Sequence, residues 1–239
     1  FFVICESKYD HRNKEKKSNF INQEYFNKEK IKYFLLEEPF PKKNNIWENQ
    51  AFQREYLLKK LSHFEDSDYI FFSDPDEIPN PHLLKNFNLK KKYGIFFQNC
   101  FNFKFNLFNR HESPWEGTRV CMKKNLKSID FMRQKIKSKN MNYSFLRFDK
   151  ERSIQIFRDG GWHFNNVMSP EKISLKLRTF AHSEFAESKY SSVEIIKKKI
   201  EKKVDLFERG HEYEKVSLDD NLPKYLIDNQ FKYKDYILD

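Results

Sequence analysis

The sequence predicts an α/β sandwich, with a mixed, mostly parallel central sheet and helices on both faces. Short apolar runs alternate with segments of helical period over about the first hundred residues, which is the pattern of parallel α/β folds. One run, Tyr69–Phe72, is continuously apolar, as is typical of a strand buried on both faces. The 239 residues contain no internal repeat and no Gly/Ser-rich linker, so we expect a single domain over residues 1–239.

Each element is predicted from apolar periodicity and from the residues that end each run. The second strand is stopped by Pro39 and Pro41, and a helix is expected to begin near Pro81, since proline suits a first helical position. The predicted strands are Phe1–Glu6, Ile31–Leu36, Tyr69–Phe72, Ile95–Phe108 and Ile154–Phe164. The predicted helices are Trp47–Phe64, the one near Pro81, Pro170–Ser183 and Val193–Lys203.

Composition excludes several classes of protein. Aromatic residues make up 17% of the chain, too many for a disordered basic tail despite the net charge of +10. Only five glycines are present, at spacings that exclude both a GxGxxG dinucleotide loop and a phosphate-binding P-loop. If the protein handles phosphates, we therefore expect it to use a metal ion and cationic side chains.

The sequence predicts the cellular location of the protein only in general terms. The longest apolar run, Phe1–Cys5, is far shorter than the ~20 residues that span a bilayer, and no signal peptide is visible. Three cysteines without CxxC spacing argue against disulfide or zinc frameworks and favour a reducing compartment, cytoplasmic or at the inner membrane face. The lysine runs are expected to be solvated helix faces, with attraction to anionic lipid or nucleic acid as the alternative (Lys90–Lys92, Lys197–Lys199, Lys202–Lys203).

The segment Asp74–Pro79 is the first candidate site. It follows the strand Tyr69–Phe72, and open α/β sheets bind ligands at the carboxyl ends of their strands. Alternation points Asp74 and Asp76 the same way, so that they can share one hard cation, and Glu77 adds a third carboxylate. The alternative is an acidic turn that caps the next helix. Three acids clustered in a basic chain favour a metal site or a catalytic role.

The segment Asp159–Phe164 is the second candidate site. Two adjacent glycines indicate a sharp turn or a close approach of another group. Strand alternation puts Trp162 on an apolar face and His163 on a polar one, so His163 is predicted to be a metal ligand or an acid/base group, in preference to His182. The alternative is a β-bulge with a core tryptophan and a hydrogen-bonded histidine.

Two further side chains are candidates. Arg54 lies on the helix before the acidic segment, where its guanidinium could hold a diphosphate or a ribose. An ordinary surface arginine paired with a glutamate is equally consistent with its position. Glu171 follows a predicted helix start, Ser169–Pro170, so it is either a partner of the helix dipole or a general base.

Together these segments resemble glycosyltransferase family 17. The resemblance is carried by the following residues: FVICES at Phe2–Ser7, WENQAFQR at Trp47–Arg54, SDPDEIP at Ser73–Pro79, DGGWHF at Asp159–Phe164, PEKISLKL at Pro170–Leu177, FAHSE at Phe180–Glu184 and LPKYLIDN at Leu222–Asn229. It covers essentially the whole chain. Family members carry an acidic, aromatic strand segment before the first of these motifs, so we expect a native N-terminal strand to precede Phe1.

The resemblance implies a GT-A fold, a Rossmann-like sandwich that binds a sugar nucleotide. It implies Mn²⁺ (or Mg²⁺) held by Asp74, Asp76 and His163, with Arg54, Asp74 and Trp162 at the nucleotide. The implied reaction is inverting transfer of N-acetylglucosamine from UDP-GlcNAc to a glycan hydroxyl, by family likeness in β-1,4 linkage to mannose. Glu171 and Glu77 are the candidate general bases, and Asp159 is a poorer third.

The acceptor and the setting do not follow from the resemblance. Vertebrate members work at the Golgi membrane, whereas this chain shows no secretory signal. Its acceptor could be a glycoprotein, a lipid-linked sugar or a polysaccharide, and the protein could contact an anionic membrane peripherally. Two other classes compete with this reading. Clustered acids on a basic chain are also typical of a metal-dependent nuclease or phosphotransferase. Aromatic residues between lysines are typical of a nucleic-acid-binding protein. We nevertheless expect no nucleic acid as a partner.

Overall fold

A computed structural model describes residues 1–20, 28–179, 187–219 and 221–238. It has a mixed α/β fold. The strands are β1 (Phe2–Ser7), β2 (Ile31–Leu36), β3 (Tyr69–Phe72), β4 (Glu77–Pro79), β5 (Tyr93–Asn102), β6 (Leu107–Phe108), β7 (Trp115–Met122), β8 (Ile154–Phe157), β9 (Gly161–Asn165) and β10 (Glu214–Lys215). The α-helices are α1 (Ile46–Tyr56), α2 (Pro81–Leu84), α3 (Ile129–Lys135), α4 (Pro170–Thr179), α5 (Ser188–Ser191), α6 (Val193–Glu201) and α7 (Lys224–Asp228).

The strands form two sheets. β1 and β2 run parallel, with Phe2 opposite Ile31 and Ser7 opposite Leu36. The larger sheet is organised around β5, with the strand order β10-β6-β5-β7-β3. β8 and β9 pair in parallel with successive halves of β5, and β4 pairs with β9. This last pairing brings the residues after β3 beside the GWHF segment.

The prediction of a mostly parallel sheet is wrong. Among the strands of the described residues, only β8 and β9 run parallel to β5 in the larger sheet, whereas five pairings are antiparallel. The connections explain this result. β5, β6 and β7 follow one another through loops of a few residues, and a parallel crossover needs about a dozen or more.

The strand before the acidic segment is also not buried on both faces. β3 has the predicted bounds, but it pairs with β7 at the end of the strand order, and Phe71 is 37% exposed while Ile70 and Phe72 are buried. β3 is antiparallel to β7, and antiparallel sheets commonly pack one face on the core and leave the other toward solvent, which gives this alternation. The acidic segment therefore leaves the sheet at its margin.

Several predicted boundaries need correction. The helix predicted over Trp47–Phe64 ends at Tyr56 and is followed by a short 3-10 helix, Leu58–Lys60. The strand predicted over Ile95–Phe108 ends at Asn102, because Phe103 adopts a left-handed backbone with φ of 67°. The predicted strand Ile154–Phe164 is two strands, interrupted by a turn in which Asp159 has φ of 48°.

Other predictions are confirmed. β1 and β2 lie where expected, α2 begins at Pro81 and α4 begins at Pro170, with the Ser169 hydroxyl accepting from the Lys172 backbone N–H at 3.4 Å. The predicted helix Pro170–Ser183 is described as far as Thr179, and its last residues lie outside the described ranges. Cys5, Cys100 and Cys121 are free thiols.

The core lies on both sides of β5. One cluster packs α3 against the sheet through Ile70, Tyr93, Ile95, Met132 and Ile154. A second joins α4 and α6 through Ile173, Leu177 and Ile196. In the described part of the chain, no helix has both the length and the apolar character needed to cross a bilayer.

Candidate functional site

The site is built on the turn that links β3 to β4. Asp74 lies in this turn, and its two carboxylate oxygens face two arginines from different helices. Arg54 of α1 lies 3.5 Å from Oδ1, and Arg133 of α3 lies 3.0 Å from Oδ2. Both guanidinium groups are about seven-eighths buried, at 12% and 13% exposed. Asp74 therefore joins both helices to the end of β3.

Glu77, at the start of β4, is buried and fully engaged. Its Oε1 accepts from Trp115 Nε1 at 2.9 Å and pairs with Arg133 at 3.1 Å, and its Oε2 accepts from the Asp74 backbone N–H at 3.1 Å. Burial raises the pKa of Glu77 above its ordinary value, and the charge of Arg133 opposes that rise. The side chain therefore holds Arg133, Trp115 and the turn in place.

The second carboxylate of the DxD motif has a different partner. Asp76 Oδ1 lies 3.6 Å from His163 Nε2, and the Asp76 side chain is 34% exposed while that of His163 is 9% exposed. The contact follows from the pairing of β4 with β9, which puts Glu77 opposite His163. Burial acts to raise the pKa of Asp76, but the hydrogen bond and charge of His163 outweigh it, so the pKa is lowered.

The imidazole of His163 is fixed on its other sides. Its ring stacks on Trp115 at 4.6 Å between centroids, and Nδ1 lies 3.6 Å from Cys100 Sγ. Burial raises the pKa of the Cys100 thiol, which keeps it neutral. His163 is therefore a buried histidine whose Nε2 edge faces the partly exposed carboxylate of Asp76.

A lysine approaches the same carboxylate from α4. Lys176 donates to Asn166 Oδ1 at 2.8 Å and interacts electrostatically with Asp76. Burial lowers the pKa of Lys176, and the charge of Asp76 opposes that shift. The site thus contains a carboxylate, an imidazole and a partly buried ammonium group within one charge cluster.

The glycine pair is explained by close backbone approach. Gly161 has φ of +121°, and a Cβ built on it would lie 2.1 Å from the carbonyl oxygen of Ile78. A Cβ on Gly160 would lie 2.7 Å from the backbone of Phe97. The two glycines therefore let β9 pass between β4 and β5. This packing accounts for the glycine pair without a ligand that approaches the backbone.

The remaining predicted residues have partners outside this cluster. Trp162, proposed for the nucleotide, packs in the core with Phe101 and Leu222 and donates to the Asn221 carbonyl at 2.6 Å. Glu171 is on the surface and pairs with Lys197 at 3.4 Å. Asp159 is exposed, and its carbonyl accepts from Asn80. His182 lies outside the described residues, so its comparison with His163 stays a prediction.

Sequence reasoning missed Arg133, Trp115, Asp130 and Lys176. Asp130 accepts from Arg54 at 3.1 Å, and its backbone N–H donates to Glu55 at 2.8 Å, which ties α1 to α3. Neither α3 nor β7 was among the predicted elements, so nothing placed Arg133 or Trp115 near the acids. The Ser128 cap of α3, whose hydroxyl accepts from the Phe131 N–H at 3.0 Å, was the available signal.

The donor set fits a cation that arrives with a phosphate ligand. Across residues 1–20, 28–179, 187–219 and 221–238, no group of three or more His, Cys, Asp and Glu is arranged to hold a metal. Mg²⁺ commonly binds through one or two carboxylates beside substrate phosphates. Asp76 offers a carboxylate and His163 an imidazole 3.6 Å away, and a cation between them would replace the proton that the two side chains share.

Comparison of the chain with protein-family models, with curated proteins and with solved structures finds no match.

Proposed function

We propose that this protein is a metal-dependent inverting glycosyltransferase of GT-A type, which transfers N-acetylglucosamine from UDP-GlcNAc to a hydroxyl of a glycan acceptor. The observation that carries the proposal is the contact of Asp76 with His163 at the end of β3, beside the arginine-held carboxylate of Asp74. Its motif order, SDPDEIP followed by GWHF, is the part of the sequence that resembles family 17 most specifically.

In this proposal the protein's own groups bind and neutralise the donor. Asp76 and His163 would hold Mn²⁺, which supplies charge neutralisation for the leaving diphosphate. Lys176 lies near Asp76 and offers a cation to the phosphates. Arg54 and Arg133, which pair with Asp74 in the free protein, are two further cations that a bound diphosphate would contact.

Of the two candidate bases we favour Glu171, because it lies on α4, the helix that carries Lys176 to Asp76. Three donors occupy Glu77, whereas the Glu171 side chain is 59% exposed and can accept a proton from an acceptor hydroxyl. The Ser169 hydroxyl and the backbone at the start of α4 lower the pKa of Glu171, which keeps the carboxylate ionised near neutral pH.

The test is nucleotide release in Mn²⁺ from a panel of UDP- and GDP-sugars, for the wild type, for Asp76→Asn and for the control Asp228→Asn. Asp228 is a surface acid paired with Lys224, so Asp228→Asn removes the same negative charge as Asp76→Asn but leaves the site unaltered. We expect UDP release from UDP-GlcNAc with inversion at the anomeric carbon, and at least about a hundredfold loss in kcat/KM for Asp76→Asn alone.

Three results would overturn the proposal. Unchanged turnover in Asp76→Asn would remove the metal assignment. Cleavage of DNA or RNA in Mn²⁺, without release of UDP from any donor, would favour the nuclease or phosphotransferase class, and salt-sensitive nucleic-acid binding alone would favour a binding protein.

A further inference from the structure

Residues 143–150 form a surface loop whose bulky apolar side chains lie in water. Phe145 is 74% exposed, Leu146 is 64% exposed and Phe148 is 89% exposed. The loop lies between a 3-10 helix, Ser138–Asn142, and β8. Single exposed apolar residues are common on protein surfaces, but three within four consecutive positions form a patch that indicates an interaction site.

The loop is held by its own backbone hydrogen bonds. Arg147 N–H donates to the Ser144 carbonyl at 3.0 Å, Phe148 N–H to the Leu146 carbonyl at 3.1 Å and Lys150 N–H to the Arg147 carbonyl at 3.1 Å. The three apolar side chains are therefore exposed on a segment of successive turns and not on an unstructured tail.

The surroundings of the loop are strongly basic. From Lys135 to Arg152 the chain has six Lys or Arg residues and two acids, a net charge of +4. Within the loop, Arg147 and Lys150 both pair with Asp149, at 2.7 Å and 3.2 Å, so two cations lie directly beside the apolar side chains.

We propose that the loop 143–150 is a membrane-docking element that inserts Phe145, Leu146 and Phe148 into the interfacial region of an anionic bilayer. Aromatic and aliphatic side chains interleaved with Lys and Arg are what monotopic proteins place at that depth, with the cations on anionic headgroups. A protein partner fits less well, because lysine is depleted in protein–protein interfaces and here it flanks the patch. This surface differs from the lysine runs singled out in the sequence.

The loop is close to the candidate site along the chain. Arg133 contacts Asp74, and Ser138 N–H donates to Glu116 at 3.1 Å, next to the Arg133 contact with the Glu116 carbonyl. Phe145 follows Ser138 by seven residues, a reach of at most about 25 Å. A further consequence, which rests on the proposed function, is that a lipid-linked acceptor in the bilayer would lie within reach of the site.

The test is co-sedimentation with vesicles of phosphatidylcholine alone and of phosphatidylcholine mixed with phosphatidylglycerol. The wild type is compared with Phe145→Ser/Phe148→Ser and with the control Phe231→Ser, which changes a phenylalanine that is 72% exposed elsewhere on the surface. We expect binding to the mixed vesicles that weakens with added salt. The double variant should lose at least about tenfold in partition coefficient, and Phe231→Ser less than about twofold.

The outcomes separate this proposal from the proposed function, because vesicle binding is read without turnover. Equal vesicle binding by the wild type and the double variant would overturn the docking assignment. So would absence of vesicle binding together with self-association of the wild type that the double variant lacks, since the loop would then be a protein contact. Unchanged urea midpoints for the variants would show that the fold is retained.

Discussion

The strongest stability prediction concerns Asp205, which lies after α6 and is 3% exposed. Its Oδ2 accepts from the backbone N–H groups of Phe207 and Arg209, at 2.9 and 3.1 Å, and from Arg209 Nε at 3.1 Å. Its Oδ1 accepts from Arg209 Nη2 at 2.6 Å and from the Tyr213 hydroxyl at 3.2 Å. The perturbation is Asp205→Asn, which has nearly the same shape and no charge.

The magnitude follows from these contacts. An amide offers one acceptor oxygen, so two or three of the five donors lose their acceptor and instead face an NH₂ group. Removing one member of a buried ion pair costs about 3 to 5 kcal/mol. Arg209 is 38% exposed and keeps Glu112 at 2.7 Å, so we expect the lower value, about 3 kcal/mol. That loss corresponds to a fall in Tm of roughly 6 to 12 °C.

The assay is urea unfolding followed by circular dichroism. The control is Asp149→Asn, whose carboxylate also pairs with an arginine but lies on the surface, and which should show no measurable change. The hydrogen bonds and charge of Arg209 outweigh burial and lower the pKa of Asp205. The stabilisation is therefore present above the ordinary carboxylate range and is lost as pH falls through the lowered pKa. A loss below about 1 kcal/mol at neutral pH, or one that does not shrink in acid, would refute this reasoning.

Four other substitutions have expected outcomes, and the expected kinetic changes rest on the proposed function. Gly161→Ala should lower the free energy of unfolding by about 3 kcal/mol, measured in urea, because its Cβ would meet the Ile78 carbonyl at a positive φ; an unchanged midpoint would contradict the close approach. Lys176→Met should raise KM for UDP-GlcNAc about tenfold with little change in kcat, and an unaltered KM would remove Lys176 from the donor site. Glu171→Gln should lower kcat at least about a hundredfold without changing the urea midpoint. Glu77→Gln should lower the urea midpoint, because it leaves buried donors without their acceptor. A loss of kcat at a constant midpoint in Glu77→Gln, with no loss in Glu171→Gln, would make Glu77 the base.

The sequence predicted the local elements that carry their own signals. β2 and β3 have the expected bounds, α2 and α4 begin at their prolines, and strand alternation correctly separated Trp162 from His163. Alternation did not foresee that Asp74 and Asp76 would face different partners, because these residues lie in a turn and no longer follow the strand.

The sheet could not be predicted correctly without β7. Reading Ile95–Phe108 as one strand hid the turn after Asn102, where Phe103 takes a left-handed conformation that few non-glycine residues adopt. The strand Trp115–Met122 was therefore absent from the predicted elements, although it is the antiparallel partner of both β5 and β3. For the same reason Arg133 and Trp115 were missed, since their approach to the acids depends on tertiary packing and leaves no local pattern.

The two arginines around Asp74 have a consequence for the order of ligand binding. A free divalent cation that approaches this turn must compete with guanidinium groups already held against the carboxylate. A cation that arrives with a diphosphate brings new anionic partners for those same groups, so the competition is relieved as the complex forms. Under the proposed function, the cation and the diphosphate should therefore bind synergistically, and each should raise the affinity for the other by the same factor.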